Sequence, residues 1–120
     1  MSSKLVIMAT HGPEDPERAT IPFALAVAAQ ASGVDTLLGF QVNGVLLLQK
    51  GKAEGVTFPG FAPLKELLDT YRDGGGQLFA CRPCLQARHI TTEDSIEGVT
   101  VVNAATFVKE FLEAKNVLVY

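Results

Sequence analysis

Short uninterrupted apolar runs, each cut off by a loop and followed by a stretch of helical periodicity, most constrain how this 120-residue chain can fold. Leu5 to Ala9 is such a run and contains β-branched residues, as expected of a strand covered on both faces in a parallel sheet. His11 to Arg18 carries Gly12, Pro13 and Pro16 among charges and reads as a loop leaving that strand. Thr20 is the expected cap of a helix reaching about Ala31, with Pro22 tolerated in its first turn and Gly33 stopping it. Thr36 to Val42 reads as a second strand. Asn43-Gly44 after it fits either a hairpin turn or a cap for a short helix over Val45 to Gln49.

Gly51 to Gly60 is a glycine-bearing loop. Leu64, Leu67, Leu68 and Tyr71 then share one helical face opposite Lys65, Glu66, Asp69 and Arg72, and Gly74-Gly75-Gly76 closes that helix. Gln77 to Ala80 is a short third strand that leads directly into Cys81-Arg82-Pro83-Cys84 and a helix through Arg88. Val99 to Val102 reads as strand four. Asn103 is the expected cap of a last helix with Phe107, Val108, Phe111 and Leu112 as a buried stripe, and Val117 to Tyr120 as a terminal strand.

Strands and helices alternating at this rhythm predict one α/β domain over residues 1–120, a three-layer α/β/α arrangement with a mostly parallel five-stranded sheet. Hydrophobic residues make up 48% and charged residues 19%, which excludes a disordered chain. The helix from Ile21 to Ala31 is apolar around nearly its whole circumference, more than one sheet face can cover, so a subunit interface is expected on it. Ten basic residues against 13 acidic ones, with no Lys/Arg cluster, argue against nucleic acid as a partner. Met1 to Lys4 runs straight into an apolar stretch too short to span a membrane and without a cleavage pattern; a cytoplasmic location is expected.

Two cysteines spaced C-x-x-C in such a chain point to redox, sulfur or metal chemistry more than to a structural disulfide. Cys81 leaves a strand where a helix begins, and the unpaired donors and dipole there are expected to depress its pKa, with Arg82 and Arg88 adding positive charge. Cys84, three residues on, lies on the same side of the turn, where Cβ atoms approach to about 5–6 Å. The competing reading makes either thiol a small core hydrophobe. Ligands in parallel sheets bind at the carboxyl ends of strands, and His11, Asn43 and Cys81 each fall just past such an end. His11 is thus a candidate proton donor, against a solvated loop histidine. His89 and Arg88 can equally serve the helix C-terminus. A zinc set of Cys81, Cys84, His89 and His11 is disfavoured because only one tight ligand couple exists. Neither a metal nor another cofactor is expected.

The segment Leu78-Phe79-Ala80-Cys81-Arg82-Pro83-Cys84-Leu85-Gln86-Ala87-Arg88 resembles the strand-cysteine-helix signature of the DsrE/DsrF-like family of sulfur-relay proteins. Asp15-Pro16 ahead of the first helix, Asn43-Gly44-Val45 with Lys50 after strand two, and the order of elements extend the likeness along essentially the whole chain. The resemblance implies a five-stranded parallel sheet between helices, a short helix after Asn43, and trimers or hexamers of the chain. It also implies sulfane sulfur held as a persulfide on Cys81, exchanged with donor and acceptor proteins or small persulfides. The expected activity is that of a sulfur carrier or sulfurtransferase, with Cys84 available as a resolving thiol. Two alternatives stand beside it: a thiol-disulfide oxidoreductase using the Cys81-Cys84 pair, and a non-catalytic oligomeric binding module.

Overall fold

The computed structural model describes residues 3–120, so the reading of the leading Met1 and Ser2 lies outside it. Val6, Ile7, Met8 and Ala9 are all buried, as an apolar run covered on both faces requires, and their strand, β1 (Lys4–Ala9), lies inside the sheet. β2 (Asp35–Phe40) pairs with it in parallel, β3 (Gln77–Cys81) follows beside β2, and β4 (Val99–Val102) forms one edge. β5 (Asn116–Val119) returns to the other side of β1. The order is β4-β3-β2-β1-β5 and every pairing is parallel, which rules out the hairpin reading of Asn43-Gly44.

Reversing the direction of travel along the sheet sends the last crossover helix to the opposite face. α1 (Pro16–Ala31) and α2 (Leu64–Asp73) pack with Ile7, Ala9, Leu38, Phe40, Leu78 and Ala80 in the larger core. α4 (Ala104–Glu113) packs Phe107 against Val6, Met8, Leu37 and Val102 in the smaller one. α3 (Arg82–Ala87) follows β3, and the main 3-10 segment (Val42–Leu48) follows β2. The layers are therefore unequal, with α4 alone among the helices seated on the smaller core.

Tyr71 ties α2 to two strands. Its hydroxyl receives the Leu38 N–H at 3.2 Å and lies 2.7 Å from the Gln77 carbonyl and 3.1 Å from that of Thr36, so a fully buried phenol is satisfied. Burial pushes its pKa well above the ordinary phenol value. The predicted face of α2 holds: Leu64, Leu68 and Tyr71 are buried and Leu67 partly so.

Three expectations need correction. α1 begins at Pro16 rather than after Thr20, because Asp15 caps it by accepting the Arg18 N–H at 3.1 Å and Pro16 fits the first helical position. Thr20 bonds back to the Pro16 carbonyl at 2.7 Å, and Pro22 stands inside the helix. The apolar circumference of α1 is largely absorbed, since Leu25 and Val27 are half-buried against the core. Exposed apolar side chains concentrate instead on α4 and β5: Val108 and Leu112, predicted as buried, are 53% and 82% exposed, and Val119 is 65% exposed.

Candidate functional site

Three adjacent strands, β3, β2 and β1, end side by side, and the segments that leave them pack tightly enough to dictate residue type. A Cβ on Gly44 would stand 2.0 Å from the Ala9 carbonyl oxygen, and one on Gly12 2.4 Å from that of Asn43. Both positions therefore need glycine, and the loop after β1 lies directly on the turn after β2.

Cys81 is the last residue of β3 and the N-cap residue of α3. Its side chain packs against the smaller core, whereas Cys84, one turn into α3, packs against the larger one. Both are half-buried and reduced. The thiol and the backbone N–H of Cys84 are the neighbouring groups that act most on the Cys81 thiol. The Cys84 sulfur in turn accepts the Val42 N–H at 3.3 Å.

The expected depression of the Cys81 pKa is corrected by this geometry. Burial pushes the Cys81 thiol above its ordinary value, and the neighbouring Cys84 thiol pushes it further, outweighing the Cys84 N–H and the Arg88 guanidinium that favour the anion. A six-residue helix carries a weak dipole, and removing thiolate surface from water costs more than that dipole returns.

The four supporting candidates divide. Arg88 donates from Nη1 to the Cys84 carbonyl and from Nε to Asn43 Oδ1, both at 3.1 Å, so Arg88 and Asn43 clamp α3 onto the 3-10 segment. Asn43 is not the cap of that segment, which starts after Gln41. Arg82 points elsewhere and donates to Asn103 Oδ1 at 3.3 Å; that side chain is thereby unavailable as the predicted cap of α4. His11 bonds through Nδ1 with Thr10 Oγ1 at 3.2 Å and is not among the groups that act on Cys81. Among the described residues no three His, Cys, Asp or Glu side chains gather as metal ligands, so Cys81, Cys84, His89 and His11 form no such set. No helix among them is long and apolar enough to cross a membrane.

Val42 escaped the sequence reading because its contribution is a backbone group. It is a β-branched residue at φ 53°, a conformation strained for its type, and its N–H is directed at α3. His89 also sits in the left-handed region, at φ 55°, closing α3. There the Ile90 N–H reaches the Leu85 carbonyl at 3.0 Å and the His89 N–H that of Gln86 at 3.1 Å, the paired bonds of a Schellman end.

The family model described as the DsrE/DsrF-like family matches residues 3–120. The uncharacterized protein MK0008 of Methanopyrus kandleri is 28% identical over 116 residues, spanning 97% of this chain and 93% of the relative. The crystal structure of the YchN protein from Escherichia coli superposes with a TM-score of 0.82 at 24% identity, covering 98% of this chain and 99% of that one. The structure of MTH1491 from Methanobacterium thermoautotrophicum, described as of unknown function, gives 0.74 at 16% identity, covering 99% and 100%. These two likenesses establish a shared fold.

Proposed function

The chain belongs to the DsrE/DsrF-like family, and from that premise we propose that it carries sulfane sulfur as a persulfide on Cys81, with Cys84 as the resolving thiol. The family's general link to sulfur relay supports the chemistry. The observation that carries the reading is the pair itself: two reduced, half-buried thiols three residues apart at the end of β3, with the Cys84 thiol acting on that of Cys81 and the Val42 N–H aimed at the Cys84 sulfur.

In the accepting step the Cys81 thiolate attacks the outer sulfur of a donor persulfide. The donor's S–S bond breaks, the donor leaves as a thiol with the proton that Cys81 gave up, and Cys81 now bears the extra sulfur. Only the thiolate is nucleophilic, so the raised pKa keeps the resting site in its unreactive thiol form and makes deprotonation part of the step. An acceptor thiolate can then remove the outer sulfur. Alternatively Cys84 attacks the Cys81 sulfur, forming the Cys81-Cys84 disulfide and expelling sulfide, after which an external dithiol must reopen the bridge. The placement of both thiols within one turn favours this second outlet, which would also give a thiol-disulfide oxidoreductase its working bond.

Incubating reduced protein with a small persulfide donor and mapping the product by mass spectrometry tests the reading. One added sulfur on Cys81 is expected in the wild type, none in Cys81→Ser, and a longer-lived adduct in Cys84→Ser. No added sulfur in either the wild type or Cys84→Ser, and no Cys81-Cys84 disulfide in the wild type, beside an established carrier that labels under the same conditions would sink it. Disulfide reduction that needs both cysteines, with no sulfur adduct, would favour the oxidoreductase.

A further inference from the structure

α1 and α2 cover the larger face of the sheet over its centre, and the part over the edge strand β4 is left to α3 and residues 90–98. Between them lies a cavity of about 550 Å³, within the range of small-molecule sites. Its floor is apolar, made by Leu85, Ile90, Ile96, Val99 and Val101. Its rim carries Lys50 and Arg82.

The cavity wall is built rather than loose. The Lys50 N–H bonds to the Asp94 carbonyl at 2.7 Å and the Ile96 N–H to that of Leu48 at 2.9 Å, pinning the wall to the 3-10 segment. Thr91 Oγ1 donates to Asp94 Oδ2 at 2.9 Å, and Ser95 Oγ to the Thr91 carbonyl at 3.0 Å.

Among the described residues neither Lys50 nor Arg82 has a carboxylate within ion-pair distance. Arg82 uses Nε on Asn103, which leaves its two terminal nitrogens to fork around an anion. Glu97 also lines the cavity, so its local charge is one positive unit on a chain whose net charge is -3. Neither Cys81 nor Cys84 lines it. From α3 the cavity takes Arg82, Leu85 and Gln86, and not Cys84.

We propose that this cavity is a second binding site, separate from the thiols, for a small organic acid with an aliphatic body and one carboxylate. The body fills the space over Val99, Val101 and Ile96, and the carboxylate sits between Arg82 and Lys50. The site is independent of the sulfur chemistry.

Octanoate is the probe, with octylammonium as its charge-reversed control, each titrated against the full chain while methyl signals are followed by NMR. Octanoate is expected to shift the Ile90, Ile96, Val99 and Val101 methyls saturably, and octylammonium to leave them in place. Lys50→Gln with Arg82→Gln should weaken octanoate about tenfold or more, as loss of charge-assisted bonds requires. The Cys81→Ser, Cys84→Ser protein should bind as the wild type does, even if sulfur loading fails. Unmoved methyls at millimolar octanoate, equal binding of octylammonium, or undiminished binding by the folded double-glutamine variant would each overturn the proposal.

Discussion

The backbone N–H of Val42 points at the sulfur of Cys84 from 3.3 Å away, and Val42 itself holds a left-handed backbone that a β-branched residue resists. The 3-10 segment after β2 and the helix after β3 thus meet through a strained residue on one side and a thiol on the other. The Arg88 clamp on Asn43 and the Cys84 carbonyl holds the same two segments together.

Glycine removes the left-handed penalty while keeping the N–H. Val42 and His89 are both exposed, so truncation gives up little packing. Val42→Gly and His89→Gly should each raise unfolding free energy by about 1 kcal/mol, the lower end of the left-handed cost, read from urea midpoints at constant slope.

Alkylation of Cys81 by iodoacetamide should follow an inflection above the ordinary thiol range, because burial and the Cys84 thiol both favour the neutral form. Cys84→Ala removes the second of these causes and should move the inflection down. The same sign governs stability. A group whose pKa is raised on folding contributes fully below its unfolded pKa, and that contribution disappears as pH rises through the folded one. Wild-type protein should therefore lose stability on the alkaline side, and Cys81→Ser less so, as thermal melts across pH would record.

Tyr71→Phe should cost about 1–3 kcal/mol in a denaturant titration, since it leaves the Leu38 N–H inside the sheet without the hydroxyl that receives it. A loss near zero would mean that water or a strand shift replaces the phenol.

Leu112 and Val119 are large apolar side chains left open on α4 and on the edge strand β5. If copies of the chain assemble as the family resemblance implies, this surface is where contact is expected. Leu112→Asp with Val119→Asp should then lower the mass measured by light scattering while the circular dichroism spectrum is unchanged. An unaltered oligomer would place the interface elsewhere.

Local pattern alone was enough for the sheet and for the thiol pair. A short apolar run with β-branched residues such as Leu5 to Ala9 suits a strand covered on both faces, the spacing of Leu64, Leu68 and Tyr71 defines one helix face, and a cysteine at a strand end with a second three residues on stays within one turn. Competition between local signals hid the start of α1, where Asp15-Pro16 outweighed Thr20. The remaining features arise between segments far apart in the chain. The periodicity of α4 groups Phe107, Val108, Phe111 and Leu112 without saying how much of that stripe the sheet covers, and the packing buries Phe107 while leaving Leu112 open. Likewise the first turn after β3 suggests an acidic thiol, but desolvation depends on every element packed around Cys81, and it decides the direction. Sequence determines what each segment prefers by itself; tertiary structure decides what is removed from water, and a free energy of burial belongs to the assembled surface rather than to any one segment.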